Sequence, residues 1–463
     1  MIQLSEIADI QTGPFGSQLH KEDYASVGRP IVTVEHLGER AFTEQNLPLV
    51  SEKDAERLKK YQMKPGDIIF SRVGSIDRCS YAEKQNEGWL FSGRCLRIRP
   101  NKTYDSEFLY YHLSSSAIKK FVRNIAVGAT MPSINTTLMG EIPVPEVPLN
   151  VQHAIARVMT SLDCKIQTNT KLNGYLEELC DALFANYTEQ VDDSWHKGTL
   201  EELVEVRYGK DHKKLADGPY PVYGSGGFMR SAERYLFSGE SVLIPRKGSL
   251  NNVMYVDEEF WTVDTMFFAV PRIPGAAKFV YQYVKRLDLA SMNSGSAVPS
   301  MTTSILNALR LPIPSKEGLE VFDERLQPFY NVIRANNIEN KELTALRDTL
   351  LPKLMSGEID VSEVDLTQLN SHLAELWLRE KWSQELAMVV KGPSRTFFPH
   401  AIFSVARNHP ASSSGVLARL EENHQETAWV KEATSTLWAK SVGTPWGMSH
   451  TLRANSTASF SEK

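Results

Sequence analysis

Two related stretches decide the fold of this chain: Leu4-Ser5-Glu6-Ile7-Ala8-Asp9-Ile10-Gln11-Thr12-Gly13 and, further along, Leu200-Glu201-Glu202-Leu203-Val204-Glu205-Val206-Arg207-Tyr208-Gly209. More blocks recur in the same order. They are Gly66-Asp67-Ile68-Ile69 with Arg72 and Gly74, against Gly239-Glu240-Ser241-Val242-Leu243 with Arg246 and Gly248; Phe108-Leu109-Tyr110 against Phe279-Val280-Tyr281; Gly128 with Pro132-Ser133 against Gly295 with Pro299-Ser300; and Ile142-Pro143-Val144-Pro145 against Leu311-Pro312-Ile313-Pro314. The sequence therefore predicts two diverged copies of one domain, suited to two similar but unequal targets.

The bulk composition narrows the class of protein. A chain of 463 residues has room for about three domains. No apolar run approaches the roughly 20 residues of a membrane span, and the first residues lack a secretory pattern, so we expect a cytoplasmic protein without a membrane partner. The net charge of −5 does not indicate a particular class of partner. If a protein of this composition binds nucleic acid, its Lys and Arg side chains must be concentrated on one face.

The first copy, residues 1–148, reads as a mixed α/β domain with short strands and turn residues between them. Its last segment, Ile142-Pro143-Val144-Pro145-Glu146-Val147-Pro148, cannot be helical, because each proline lacks an N–H and forces its predecessor into extended geometry. The second copy, residues 191–315, is expected to repeat this architecture.

A heptad pattern follows each copy. In residues 149–190 the apolar positions are spaced mostly three and four apart, which predicts a long helix of about 38 residues. They are Ile155, Val158, Leu162, Ile166, Leu172, Leu176, Leu179 and Leu183; the corresponding set in residues 316–357 is Phe322, Leu326, Phe329, Ile333, Leu343, Leu346 and Leu350. We expect Pro328 to kink or interrupt the second helix and Pro352 to end it.

The apolar heptad positions of each helix form a stripe, here called its seam. Because the seams of the two helices match, we predict that the helices pack on each other. Polar positions at Asn169, Asn173, Asn336 and Asn340 would fix the register of the pair at some cost in stability. If the two copies lie at opposite ends, the helices are antiparallel and the fold is α/β, with two pseudo-symmetric domains separated by a two-helix coiled coil. The alternative is two unrelated helices that cap separate cores.

Residues 358–463 belong to neither copy. This segment contains Trp377, Trp382, Trp429, Trp438 and Trp446, while residues 367–463 lack Asp and Tyr. Residues 371–390 could form an amphipathic helix, and the Ser/Thr-rich remainder indicates little regular structure. The composition is that of a separate extension or of a disordered segment.

Catalytic and metal-binding motifs are missing from the sequence. There is no Gly-x-x-x-x-Gly-Lys-Ser/Thr loop for a nucleotide phosphate and no His-x-x-x-His pair for zinc. Glu339-Asn340-Lys341 has the spacing of part of a nuclease motif, but it lies on the predicted heptad helix. The four cysteines lack metal-like spacing, so reduced and mostly buried thiols are expected. We therefore predict no catalytic residue, no metal ligand and no cofactor in this chain.

Loops that combine cations with Ser, Asn and Gly are candidates for contact with DNA, because such side chains bond phosphate oxygens and base edges. The recurrence of an Arg-Gly loop in both copies favours this interpretation over a merely solvated loop. Tyr223-Gly224-Ser225-Gly226-Gly227 reads as a tight turn rather than a phosphate cradle, since no strand-then-helix pattern surrounds it. The candidate residues are Thr12, Phe15, Ser17, Ser71, Arg72, Tyr223, Ser225, Arg246, Lys247, Ser249 and Asn251.

The duplicated order of these motifs, each followed by a heptad helix, resembles the DNA specificity subunit of type I restriction-modification systems. The segment Leu350-Leu351-Pro352-Lys353-Leu354-Met355-Ser356-Gly357-Glu358-Ile359 resembles the end of the second conserved region of that family. The resemblance covers residues 1 to about 365. It implies two target recognition domains that each read half of a split, asymmetric site in double-stranded DNA, with the helices as spacer and docking surface.

The same resemblance implies partners that carry the chemistry. Two modification subunits would use S-adenosylmethionine to methylate adenine, and restriction subunits would use ATP and Mg²⁺ for translocation and cleavage. The chain itself would be a non-enzymatic subunit in phage defence. Three alternatives stay open at this point: a methylation-only complex, a coiled-coil scaffold for other proteins, and a self-contained nuclease.

Overall fold

The computed structural model describes residues 1–15, 18–128, 130–191, 193–292 and 300–361, all within one compact unit, Met1–Leu376. Two globular parts, here called the first head (1–148) and the second head (191–315), are each followed by a long helix. The helix predicted at 371–390 and the small-residue run after it lie outside the described residues, as do Ser17, Gly295 and Pro299.

The first head contains ten strands and five α-helices among its described residues. They are β1 (Ile2–Gln3), α1 (Leu4–Ile7), β2 (Ala8–Thr12), β3 (Tyr24–Ala25), β4 (Arg29–Val32), β5 (Leu49–Val50), α2 (Glu52–Arg57), β6 (Ile68–Ser71), β7 (Cys79–Tyr81), β8 (Leu90–Phe91), β9 (Cys95–Pro100), α3 (Ser106–Ser114), α4 (Ser116–Ile125), α5 (Thr136–Gly140) and β10 (Pro143–Val144). The strands form sheets of order β2-β9-β6-β7 and β3-β5-β4-β8, and β1 pairs with β10.

The second head repeats this plan with longer strands. Its elements are β11 (His196–Thr199), α7 (Leu200–Leu203), β12 (Val204–Tyr208), β13 (Tyr220–Gly224), β14 (Gly227–Ala232), β15 (Phe237–Pro245), β16 (Met254–Thr262), β17 (Met266–Pro271), α8 (Ala276–Val284), α9 (Thr303–Asn307) and β18 (Arg310–Ile313). They form a sheet of order β12-β17-β15-β16-β13-β14 and a separate pair, β11 with β18.

The duplication seen in the sequence is a duplication of topology. In each head a strand precedes a short helix and pairs antiparallel with the Pro-x-Pro segment: β1 with β10 and β11 with β18. The strand after the short helix pairs antiparallel with an equivalent partner: β2 with β9 and β12 with β17. The Ile142–Pro148 segment is extended, as its prolines predict, and this places the start of the following helix beside the first strand of the head.

Each head has two hydrophobic cores, because side chains along its central strand point alternately to the two faces of the sheet. Ile68 and Phe70 of β6 face a core that includes residues of both long helices, while Ile69 between them faces a second core around Val32 and Phe91. Strand β15 alternates in the same way between two cores of the second head. Because successive side chains of a strand point to opposite faces, each sheet carries one face toward the helices and the other toward the outer part of the head.

The two long helices are α6 (Leu149–Glu189) and α10 (Lys316–Ser356), each of 41 residues and therefore about 60 Å long. The first head packs on Ile155 of α6 and on Leu354 of α10, near the N-terminus of one helix and the C-terminus of the other. The second head packs on Phe184 of α6 and Phe322 of α10, at the opposite ends. The helices are therefore antiparallel, which confirms the predicted fold class.

Two predictions about prolines in α10 are wrong, that of a break at Pro328 and that of an end at Pro352. The helix runs through Pro328 without interruption and continues past Pro352 until Gly357, whose φ of 75° ends it in the left-handed region. A proline inside a helix costs about 3 kcal/mol. Leu326 and Leu351 beside the two prolines are 0% and 6% exposed, and burial of such side chains stabilises the helix by roughly 1.5–3 kcal/mol each.

One predicted seam position is also wrong. Leu346 is 45% exposed, whereas Leu343 and Leu350 on the same helix pack against the core of the first head. The helix turns by 3.6 residues, so a pattern with alternating gaps of three and four cannot keep all of its members on one face unless the pair supercoils. Leu346 therefore lies outside the seam.

Candidate nucleic-acid interface

The backbone of Arg72 is fixed on both sides. Its N–H donates to the Arg94 carbonyl at 2.8 Å, and its carbonyl accepts from the Ile134 N–H at 2.9 Å. One guanidinium nitrogen, Nη1, donates to the Gly93 carbonyl at 3.2 Å, which leaves the other donors of the group uncommitted among the described residues. The loop around Arg72 is therefore rigid, with a half-exposed guanidinium.

Arg246 of the second head is held in the same way. Its N–H donates to the Thr265 carbonyl at 2.8 Å, and its carbonyl accepts from Met301 N–H at 2.9 Å. Its Nη1 donates to the Asp264 carbonyl at 3.3 Å, and the guanidinium carbon lies 5.4 Å from the centre of the Tyr208 ring. The two recurring arginines thus share backbone partners and side-chain anchorage at equivalent places of both heads.

A glycine shapes each of these loops. Gly74 has a φ of 83° and Gly248 a φ of 84°, a region that side chains with a Cβ rarely occupy. The residue before each glycine, Val73 or Lys247, forms an isolated antiparallel bridge with Ser133 or Ser300. The Arg-x-Gly sequence and the distant Pro-Ser sequence are therefore one structural unit, built twice.

Several cations around these loops have no carboxylate partner within the described part of the chain. In the first head they are Arg72, Arg78 and Arg94; in the second they are Lys210, Lys213, Lys214, Arg246 and Lys247. All but the two recurring arginines are exposed. Other arginines of the heads, such as Arg97 and Arg99, are paired with aspartates. A polyanion would be attracted to the unpaired set, even though the chain as a whole is acidic.

The other candidates of the first head have different outcomes. Thr12 ends β2 and is half-buried, and Phe15 is 63% exposed, with its Cβ close to Gly93, the residue that anchors Arg72. The prediction for Ser71 is wrong: it is 0% exposed, because it occupies an inward position on β6. Ser17 lies outside the described residues.

In the second head Tyr223 lies near the end of β13, and Ser225 lies in the predicted tight turn, which joins β13 to β14 as a hairpin. The Tyr223 hydroxyl donates to Glu258 at 2.5 Å, and burial together with this carboxylate raises the pKa of the tyrosine. The Ser225 carbonyl accepts from Asn252 Nδ2 at 2.8 Å, which attaches the hairpin to the arginine loop.

Lys247 and Ser249 are exposed on the arginine loop. Asn251 is also exposed, but its amide group is engaged within the protein. Its Nδ2 donates to Asp288 at 3.1 Å, and its Oδ1 accepts from the Ala290 N–H at 3.1 Å. Asn251 therefore helps to hold the loop, and the DNA-contacting role proposed for it stays a prediction.

Some residues at this surface escaped the sequence analysis. Tyr208, 51% exposed beneath Arg246, ends the repeated motif at the position of Thr12, so an alignment of the two copies could have identified it. Arg94 contacts the loop of Arg72 through its backbone carbonyl. No local motif marks Arg94, because this contact connects parts of the chain that are separated in sequence.

The structure places the four seam asparagines between the helices. Asn169 Nδ2 donates to Asn340 Oδ1 at 2.9 Å, and Asn336 Nδ2 donates to Asn173 Oδ1 at 2.7 Å. Because Asn169 corresponds to Asn336 and Asn173 to Asn340, these bonds are equivalent under exchange of the two copies. An approximate two-fold axis therefore passes between them.

A hydrogen bond at the first head and an ion pair at the second attach the heads to the helices. Asp163 of α6 accepts from the Tyr111 hydroxyl of the first head at 2.7 Å and from Arg347 Nη1 of α10 at 2.9 Å. In the second head Lys278 is 0% exposed, and its Nζ lies 2.6 Å from Glu240 and 2.7 Å from Asp323 of α10. These contacts restrict how each arginine loop can move relative to the helix pair.

Within the described ranges, no group of three or more His, Cys, Asp and Glu side chains is arranged to hold a metal ion. No described helix has the length and apolar character needed to cross a membrane. The four cysteines are free thiols; burial raises the pKa of Cys79, Cys95 and Cys180 to about 12.

Comparison with known proteins gives one family. The model of the type I restriction modification DNA specificity domain matches residues 1–178 and 192–345. The chain is 23% identical over 410 residues to the putative type I restriction enzyme MjaX specificity subunit of Methanocaldococcus jannaschii, covering 78% of this chain and 94% of that protein. It is 22% identical over 413 residues to the specificity subunit of the type I restriction enzyme HindI of Haemophilus influenzae, covering 66% and 89%. The solved S subunit of a type I system from M. genitalium is 19% identical, with a TM-score of 0.49, over 76% of this chain and 94% of that one.

Proposed function

This chain belongs to the type I restriction modification DNA specificity family, and we propose that it reads a bipartite, asymmetric site in double-stranded DNA, one half with each head. The observation that carries the proposal is the pair of arginine loops, built alike in two heads at opposite ends of an antiparallel helix pair. Each loop presents a guanidinium with free donors, the group best suited to bidentate contact with guanine.

Because the two heads carry different side chains around the same arginine, the two half-sites differ in sequence. Tyr208 lies beneath Arg246, whereas Thr12 occupies the corresponding position near Arg72. Symmetric heads would favour a palindromic site, but these heads favour an asymmetric one. The helices, about 60 Å long, hold the half-sites at a fixed spacing that the protein does not read.

This chain determines which DNA sequence is recognised, and its partner subunits catalyse the reactions. Two modification subunits that use S-adenosylmethionine dock on the helix pair, one for each copy, and restriction subunits add cleavage driven by ATP with Mg²⁺. The support for this division is the pseudo-two-fold arrangement of the helices, which offers two equivalent surfaces.

Methylome sequencing of a host with and without this gene tests the proposal. We expect one methylated motif that depends on the gene and consists of two short, unlike blocks with an unspecified gap of constant length. Footprinting of the complex with its modification subunits should protect the same two blocks. A single continuous block, or a methylome that does not change when the gene is deleted, would contradict the proposal.

A further inference from the structure

Two large apolar side chains are exposed together at the tip of the β13–β14 hairpin. Phe228 is 61% exposed and Met229 is 53% exposed, directly after Gly227 with its φ of 106°. Met229 folds back over Gly224, where an added Cβ would lie 2.5 Å from its sulfur. Phe228 is thereby left as the projecting side chain. Adjacent exposed apolar side chains on a rigid tip indicate a binding site rather than ordinary surface.

Phe228 is the outer end of an aromatic series that reaches the core. Its ring lies edge-on to Tyr223, with centroids 6.4 Å apart, and Tyr223 lies edge-on to Phe260 at 6.5 Å. Phe260 is 0% exposed, and the Tyr223 hydroxyl is fixed by Glu258. The exposed ring is therefore held in place before any partner arrives, which reduces the entropy lost on binding.

The hairpin is attached to cationic segments on both sides. Asn252 Nδ2 bonds the Ser225 carbonyl at 2.8 Å on the side of the arginine loop, and Arg230 Nη2 donates to the Leu215 carbonyl at 2.6 Å on the other side. The segments so attached contain Lys210, Lys213, Lys214, Arg246 and Lys247, together with the exposed carboxylates of Asp211 and Asp217. Phe228 is thus an exposed apolar side chain on a hairpin whose neighbouring segments carry five cations against two carboxylates.

This combination selects one occupant. The cations neutralise phosphates, which cannot stabilise an apolar ring between them, but the faces of unstacked bases can. Proteins that bend DNA place Phe or Met between base pairs in this way. We propose that Phe228 inserts between two base pairs of the half-site bound by the second head and opens that step. The inference rests on the proposed function and adds to it the DNA conformation that this head binds.

The first head has no counterpart of this side chain in the segment that corresponds to the hairpin; its exposed phenylalanine, Phe15, lies on a different loop, beside Gly93. In its corresponding segment, described residues 33–48, Phe42 is only 9% exposed, and no large apolar side chain is prominently exposed. Arg40 in the same segment is 5% exposed and paired with Glu107 of α3. The insertion is therefore expected at one half-site only, which gives the experiment an internal control.

The test uses the full chain assembled with its modification subunits and duplexes that carry the methylated motif, with 2-aminopurine at adenine positions of each half-site other than the methylated adenine. Binding should raise the fluorescence several-fold at one step of the second half-site and leave the first unchanged. Phe228→Ala should abolish this rise, and Phe228→Trp should retain the opened step. Tyr235→Ala, which removes an exposed aromatic side chain from beyond the far end of β14, is the matched control and should behave as the parent protein.

A second measurement uses DNA in which a mismatch has already weakened that step. Since the mismatch removes part of the cost of unstacking, the parent complex should bind it roughly tenfold more tightly than the matched duplex. The Phe228→Ala complex, which does not open the step, should show no gain.

The outcomes separate the two proposals. Two protected blocks without a fluorescence rise at any step would overturn the insertion and leave the bipartite reading intact. Loss of the two-block footprint in the parent complex would overturn both. If Phe228→Ala prevents assembly with the modification subunits and the parent complex shows no mismatch preference, Phe228 belongs to a protein interface and the inference is wrong.

Discussion

At the scale of single residues, the two recurring arginines should act on different halves of the site. Arg72→Ala should reduce discrimination at the first half-site and Arg246→Ala at the second, each by roughly ten- to a hundredfold, the cost of one bidentate base contact. Affinity for duplexes altered in one half at a time, measured at fixed salt, checks this, and each variant is the control for the other. A uniform loss for all sequences with a shallower salt dependence would instead identify phosphate contacts.

A histidine gives the protein a pH dependence that is independent of DNA. His112 of α3 is 7% exposed, and its Nε2 lies 2.8 Å from the Pro143 carbonyl. Burial lowers the pKa of His112 below its ordinary value of 6.5. The unfolded chain therefore binds more protons than the folded one below about pH 6.5. Stability from this group is complete above that pH and is lost as the pH falls further.

Urea unfolding between pH 7.5 and 5.5 measures this effect. We expect the free energy of unfolding to fall by at most about 1.4 kcal/mol per pH unit on account of His112. His112→Gln keeps a donor for the carbonyl but does not titrate, so its pH slope should be flatter. Equal slopes in the two proteins would contradict the assignment.

At the scale of elements, the asparagine pairs should be energetically coupled across the helices. Double-mutant cycles to Ala on Asn169 with Asn340 and on Asn336 with Asn173 should each give a coupling of roughly 0.5–3 kcal/mol. The approximate two-fold axis predicts similar values, because the further bond from Asn169 Nδ2 to Glu339 at 2.8 Å does not involve Asn340 and cancels from the cycle. A cycle on Thr170 with Asn173, which lie on one helix, is the control. Coupling in only one of the two cross-helix pairs would contradict the symmetric arrangement.

The sequence predicted the elements that depend on periodicity and failed where long-range packing decides. The duplicated topology, the extended Pro-x-Pro segments and the antiparallel helices all followed from spacing. The continuation of α10 through Pro328 did not, because it depends on burial of Leu326 in a core contributed by residues distant in sequence. The burial of Ser71 depends likewise on long-range packing, because cores cover both faces of β6.

The candidate surface was predictable only in part, for the same reason. The recurrence of Arg72 and Arg246 pointed to two loops that are anchored alike in the structure. Their rigidity arises from Ile134 and Met301, which lie far along the chain, and no local pattern reports those contacts. Phe228 was passed over because a single aromatic residue in a glycine-rich turn has no signature until its exposure is known.

At the scale of the whole described unit, each head is fixed to both helices, so the distance between the heads is set by helix length. The attachments differ: the Tyr111 hydroxyl bonds Asp163 of α6 at the first head, and Lys278 pairs with Asp323 of α10 at the second. Lengthening the helices between these attachments should therefore move the heads apart as rigid bodies and leave each arginine loop unchanged.

Four residues inserted at the same level of both helices, between Leu162 and Asn169 in α6 and between Asn340 and Arg347 in α10, would add about 6 Å to the pair. At about 3.4 Å per base pair, the gap in the methylated motif should widen by one or two base pairs with both half-sites unchanged. Methylome sequencing of a host that carries the lengthened chain measures this. An insertion in α6 alone is the control: it displaces the asparagine pairs on one side and should abolish methylation. If the doubly lengthened chain altered the bases recognised in either half-site, the heads would be coupled through the helices rather than spaced by them.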